Sequence, residues 1–216
     1  MKKEYQYILF DLDGTISDPA TGITRSIQYA LSFFEITVPN PEELTKFIGP
    51  PLIESFKEFY HFNDDQALLA LKKYREYFVA KGMFENYLYK GIEELLQTLK
   101  EKGKTILLAT SKPEPFAKQI LEHFNLTHYF SFIGGATLDG SRSTKTDVIR
   151  YVLKSNQITE PGKTVMVGDR EHDIEGAKNN GITSIGVLYG YGSKTELQKA
   201  GADFLASDIK ELMMLL

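Results

Sequence analysis

Two aspartates stand two residues apart in Asp11-Leu12-Asp13-Gly14-Thr15, directly after the apolar run Tyr5–Phe10. In extended chain alternate side chains point the same way, so both carboxylates can face one cavity. A carboxylate is a competent nucleophile toward phosphorus and gives an acyl phosphate. A second carboxyl beside it can protonate the departing alkoxide and later activate water. Gly14 permits a tight turn after the pair. Asp-x-Asp alone reads as a strand end and a turn; the apolar run before it and Gly-Thr after it favour chemistry.

Three further groups belong with this pair chemically. Thr110-Ser111 follow the apolar run Thr105–Ala109, and Pro113 marks a helix start just beyond. Hydroxyls and amides ahead of a helix make an anion site, although taken alone Thr-Ser reads as simple capping. Lys145 opens a helical segment, where a cation opposes the helix dipole, so an anionic partner explains it better than the helix does. A solvated surface lysine is the competing reading, and Lys112 and Arg142 are weaker candidates for the same role. Gly168-Asp169 and Asp173 follow the apolar run Thr164–Val167. Two acids four apart can share one side of a strand-to-helix turn, and with Asp11 they form a hard, oxygen-rich site suited to Mg²⁺. Such an ion would screen carboxylates from phosphate. The alternative is Asp169 as a helix N-cap and Asp173 as a solvated acid.

These groups sit where an α/β fold would put them. Short apolar runs at Tyr5–Phe10, Thr105–Ala109, Phe130–Gly134, Thr164–Val167, Thr183–Val187 and Phe204-Leu205 predict strands. Helical patterns over Gly91–Lys102, Pro113–Phe124, Thr144–Ser155, Glu171–Asn180, Ser193–Ala200 and Asp208–Leu216 separate them. Strands alternating with helices imply a parallel sheet with helices on both faces, and ligands then bind at the carboxyl ends of the strands. From Pro19 to Lys81 no strand is predicted. Pro19–Phe34, with Asp18 as N-cap, Pro51–Tyr60 and Asp64–Ala80 read instead as an inserted set of helices.

Composition narrows the class. The chain of 216 residues carries 42% hydrophobic and 25% charged residues, values of an ordinary globular protein. A formal charge of -4 with no basic run argues against a nucleic-acid polymer as partner. There is no cysteine, which excludes a disulfide framework, a thiolate zinc site and cysteine catalysis. No window approaches a membrane span. A soluble cytoplasmic protein, monomeric or a small homo-oligomer, acting on a small phosphorylated metabolite is the expectation.

Taken in order, the four groups resemble the motifs of the haloacid dehalogenase superfamily over essentially the full length. The match rests on Asp11-Leu-Asp13-Gly-Thr15, Thr110, Lys145, and Gly168-Asp169 with Asp173. The resemblance implies a Rossmann-like α/β core over 1–17 and 83–216, with a helical cap domain inserted over 18–82. It implies Asp11 as nucleophile, Asp13 as acid and base, and Mg²⁺ held by Asp11, the backbone carbonyl of Asp13, and Asp169. Asp173 would support the metal shell through water, and Thr110, Ser111 and Lys145 would bind phosphate. Capped members generally act on small molecules, because a closed cap leaves no room for a protein substrate. Thr-Ser-Lys-Pro at 110–113, Gly-Val-Leu-Tyr-Gly-Tyr-Gly at 186–192 and Gly-Ala-Asp at 201–203 are similar to phosphoglycolate phosphatases. The run at 138–145 resembles a 5′-nucleotidase-like branch. A sugar-phosphate mutase and an inactive binding module on the same fold are the competing readings.

Other residues invite less. His61, His123, His128 and His172 lack metal-ligand spacing and read as structural or surface, with His172 nearest the acids in sequence. Tyr74, Tyr77 and Phe78 read as packing, Tyr189 and Tyr191 as loop packing or a site rim, and Arg25 as a surface residue within reach of substrate. The turn Gly49-Pro50-Pro51-Leu52 reads as a substrate loop or a helix start.

Overall fold

The computed structural model describes residues 4–216. In chain order the strands are β1 (Tyr7–Phe10), β2 (Ser17–Asp18), β3 (Tyr87–Leu88), β4 (Thr105–Pro113), β5 (Phe132–Ala136), β6 (Thr164–Gly168), β7 (Thr183–Val187) and β8 (Phe204–Ala206). The helices are α1 (Ala20–Ser32), α2 (Leu52–Tyr60), α3 (Asp64–Ala80), α4 (Ile92–Glu101), α5 (Glu114–His123), α6 (Lys145–Ser155), α7 (Glu171–Asn179), α8 (Lys194–Ala200) and α9 (Ile209–Leu215).

Six strands form one parallel sheet in the order β5-β4-β1-β6-β7-β8. The sequence pattern explains why both faces are covered. Leu9, Leu107, Ala109 and Met166 pack with Val148, Ile149 and Val152 of α6 and Ala177 of α7. Their alternates Ile8, Phe10, Ile106, Leu108, Val165 and Val167 point the other way and are equally buried. Continuous apolar strands of this kind belong to parallel sheets clothed on both sides. The α/β expectation therefore holds.

Register fixes where the chemistry sits. β1 lies between β4 and β6, with Phe10 opposite Leu108 and Val167. The chain then builds outward on one side through β4 and β5, and on the other through β6, β7 and β8. The carboxyl ends of β1, β4 and β6 are thus neighbours at the point where strand order reverses, the place such sheets bind ligands.

The chain divides into two compact units, one running to Asp18 and resuming over Leu88–Leu216, the other spanning Pro19–Tyr87. In the second unit, α1 packs on α3, and α3 on α2. The return segment is part of this unit beyond residue 82: Gly22 N–H donates to Glu85 O at 3.0 Å. A Cβ on Gly22 would lie 1.8 Å from the Gly82 carbonyl oxygen, so that helix crossing needs glycine. Tyr74 and Phe78 stack in its interior. Tyr77 instead carries its hydroxyl to Glu85, and Arg25 makes an exposed ion pair with Glu85 at 2.5 Å.

Several local expectations need correction. A 3₁₀ helix over Pro41–Phe47 was not anticipated; Asn40 caps it, and its buried Leu44 and Phe47 are three apart, the spacing that suits a three-residue turn. Asp18 does not cap α1, whose N-cap is Pro19 without a side-chain bond. β1 begins at Tyr7 and β5 at Phe132, two residues later than the apolar runs. β4 continues to Pro113, so Thr110 and Ser111 lie within a strand whose pairing shifts between Thr110 and Pro113, and α5 starts at Glu114.

Candidate active site

Asp11 is the first residue beyond β1, and its N–H donates to Val167 O at 2.9 Å, which keeps it in line with the sheet. Its Oδ1 accepts from the Leu12 N–H at 2.8 Å and lies 2.8 Å from Lys145 Nζ. Lys145 is the first residue of α6. Its ammonium also lies 2.8 Å from Asp173 Oδ1 and donates to Ala109 O at 3.0 Å. Two of these contacts are ion pairs with carboxylates and the third is a hydrogen bond to the main chain. The cation that opposed the helix dipole is accounted for by two carboxylates. Burial works against its charge, yet Asp11 and Asp173 hold its pKa up at about 12.

Asp13 pairs through Oδ2 with Lys112 Nζ at 2.6 Å, while its Oδ1 is buried without a partner. Burial raises its pKa despite Lys112, which favours the protonated form that a proton donor needs. Gly14 follows at φ 82, and a Cβ there would lie 2.2 Å from Asp169 Oδ2. Both the turn and the approach of Asp169 exclude a side chain at this position.

Asp169 follows β6 and is fully buried. Its Oδ2 accepts from the Tyr191 N–H at 2.7 Å, and its Oδ1 has no partner. Burial first, then Asp173 and Asp11, push its pKa well above the carboxylate range. It does not cap α7; the Asp173 carboxylate does part of that work by accepting from Arg170 N–H at 3.1 Å. Burial pushes Asp173 up to about 6 against the pull of Lys145.

Ligand-capable oxygens of Asp11, Asp169 and Asp173 all lie within 4.8 Å of one another. Three carboxylates against the single ammonium of Lys145 leave two negative charges, and Asp169 Oδ1 is a buried acceptor with nothing to accept. A divalent, oxygen-seeking cation fits that donor set in charge and in kind.

Thr110 is buried at the neighbouring strand end, its Oγ1 accepting from Lys112 N–H at 3.2 Å; Ser111 beside it is half-buried. Lys112, a minor candidate in the sequence, is brought to Asp13. Arg142 is not brought to the acids: it is held by Glu114 at 3.3 Å, the Gly135 carbonyl at 2.9 Å and the Tyr151 ring at 3.6 Å. Asp18, Tyr189 and Tyr191 stand outside the four sequence motifs. The Tyr191 hydroxyl donates to Asp18, and the Tyr189 hydroxyl donates to Thr15 O at 3.1 Å. The glycines flanking Tyr191 were the available signal, since they let a loop lie against a buried acid.

A family model described as haloacid dehalogenase-like hydrolase matches residues 8–187. The chain belongs to that family. Within it, the chain is 43% identical over 212 residues to a 5′-nucleotidase of Pseudomonas aeruginosa, covering 98% of this chain and 96% of that one. It is 38% identical over 209 residues to the tyrosine-protein kinase PtkA of Mycobacterium tuberculosis, covering 96% of this chain and 71% of that one. A solved structure described as a predicted phosphatase from Clostridium acetobutylicum superposes with a TM-score of 0.94 at 52% identity, covering 98% and 97% of the two chains. The chain is thus a phosphoric monoester hydrolase by family. Among the described residues no helix is long and apolar enough to cross a membrane.

Proposed function

We propose that this chain is a Mg²⁺-dependent phosphatase of a small phosphorylated metabolite, working through a phosphoryl group carried on Asp11. The observation that supports it most is the shared lysine: one ammonium holds Asp11 and Asp173 while Asp169 keeps an unpartnered oxygen beside them. Asp11 attacks phosphorus, and the P–O bond to the leaving group breaks. Asp13, whose burial favours its protonated form, gives its proton to the leaving oxygen. It then takes a proton from the water that attacks the phosphoryl-aspartate, releasing phosphate and restoring Asp11. Thr110, Ser111 and Lys145 bind the phosphate oxygens. Asp11, Asp169 and the main-chain carbonyl of Asp13 would hold Mg²⁺, which supplies the positive charge that lets an anionic nucleophile approach an anionic substrate. Asp173 supports that shell from the α7 side. The helical unit is the cap that selects the substrate, and the enzyme is cytoplasmic, monomeric or a small homo-oligomer.

Among substrates we favour a nucleoside 5′-monophosphate, with phosphoglycolate second; the 43% identical relative supports that order. A screen of nucleoside 5′-monophosphates, phosphoglycolate, sugar phosphates and pyrophosphate, with and without Mg²⁺, tests both points. Turnover of 5′-monophosphates only with Mg²⁺ is expected. Absence of turnover on every ester, generic aryl phosphates included, would sink the reading.

The relative named as a tyrosine-protein kinase supports a second reading. In it the phosphoryl group passes from Asp11 to a tyrosine hydroxyl rather than to water. Product analysis separates the two: free phosphate supports hydrolysis, and phosphotyrosine on an added peptide supports transfer.

A further inference from the structure

Asp169 has to present one oxygen to a cation, yet it lies beyond β6 and outside the α7 cap. What holds it comes from another loop. Between β7 and α8, Tyr189-Gly190-Tyr191-Gly192 runs directly against it: a Cβ on Gly190 would lie 2.4 Å from Asp169 Cβ, and one on Gly192 1.8 Å from Asp169 O. A loop with two glycines has wide conformational freedom and stays in one place only if it is tied. Two phenols tie it. Tyr189 donates to Thr15 O at 3.1 Å and meets the Tyr89 ring edge-on at 5.0 Å. Tyr191 donates to the Asp18 carboxylate. So tied, the loop delivers the Tyr191 N–H to Asp169 Oδ2 at 2.7 Å and leaves Oδ1 without a partner.

We propose that Tyr191 is the positioning residue of the cation site: anchored on Asp18, it occupies Asp169 Oδ2 through its own N–H and so presents Oδ1 alone to the metal. It acts through Asp169 and touches neither substrate nor cation. The inference rests on the proposed Mg²⁺ site.

The test is calorimetric titration of Mg²⁺ into the full chain, with no substrate present. Tyr191→Phe and Asp18→Ala should each weaken Mg²⁺ binding about 10-fold, the usual scale for losing a partner that orients a metal ligand. Asp18→Asn keeps an accepting oxygen and should bind nearly as wild type. The double variant Tyr191→Phe/Asp18→Ala should be no weaker than either single variant, because both remove the same anchor. Unchanged affinity in Tyr191→Phe, or single losses that add in the double variant, would overturn the inference. If Tyr191→Phe does not fold, the contrast between Asp18→Ala and Asp18→Asn decides: equal affinities overturn it. Wild-type protein that binds no Mg²⁺ overturns the proposed cation site as well, whereas wild-type binding with an indifferent Tyr191→Phe overturns this inference alone.

Discussion

Lys145 Nζ lies 2.8 Å from Asp173 Oδ1 and the same distance from Asp11 Oδ1, so one ammonium serves two buried acids, one at the end of β1 and the other in the first turn of α7. Removing it strands both. Lys145→Ala should cost about 3–5 kcal/mol of stability, the scale for leaving a buried ion uncompensated, and should also abolish turnover. Lys145→Arg should not restore activity, because a planar fork cannot meet three acceptors arranged around one nitrogen. Urea unfolding and a phosphatase assay on the two variants check this; wild-type stability in Lys145→Ala would contradict it.

Asp169 carries the opposite liability. Its pKa in the folded chain stands well above 3.8. Its contribution to stability is therefore full below the unfolded value and is lost as pH rises through the folded one. Metal-free protein should lose thermal stability from about pH 4 upward, and Mg²⁺ should restore it. Asp169→Asn removes the buried charge. It should melt a few degrees higher than wild type in chelator at neutral pH and gain little from Mg²⁺. Melting curves across pH, in chelator and in Mg²⁺, give the comparison; a parallel pH slope in the variant would speak against the argument.

Asp11→Asn should leave the fold intact and lower turnover at least about 10³-fold, as loss of a nucleophile does. Beryllium fluoride, an imitation of a phosphoryl group on a carboxylate, should inhibit wild type and fail to bind the variant. Circular dichroism, initial rates and inhibitor titration settle the point, and retained activity in Asp11→Asn would exclude its role.

Gly14→Ala tests packing rather than charge. Position 14 has φ 82, and a Cβ would meet Asp169 Oδ2 at 2.2 Å. A strained backbone of that kind costs about 1–3 kcal/mol, and the displaced carboxylate should weaken Mg²⁺ binding as well. Calorimetry and denaturant unfolding measure both effects. A loss of stability with unaltered Mg²⁺ affinity would show that Asp169 tolerates the shift.

The sequence by itself determined the α/β class and where the acids stand relative to its strands and helices. Apolar runs broken by helical periods were enough for a parallel α/β sheet, because strands buried on both faces must be continuously apolar. Asp11, Asp13, Lys145, Asp169 and Asp173 were legible because each follows a strand or opens a helix, where a charged side chain without a partner would be costly. Their partners were not legible. Lys145 reads as an ammonium seeking an anion, but only the register of β1 between β4 and β6 brings Asp11, Asp173 and the Ala109 carbonyl to the same nitrogen. Lys112 reads as a weaker candidate for the same role and is instead the partner of Asp13, and Arg142, three residues from Lys145, is held elsewhere by Glu114. Asp18 looked like a helix cap because Asp-Pro precedes a helical pattern, yet its carboxylate answers a tyrosine 173 residues away. Local signals decide which groups need a partner. Only the crossing of distant strands and loops decides which partner arrives.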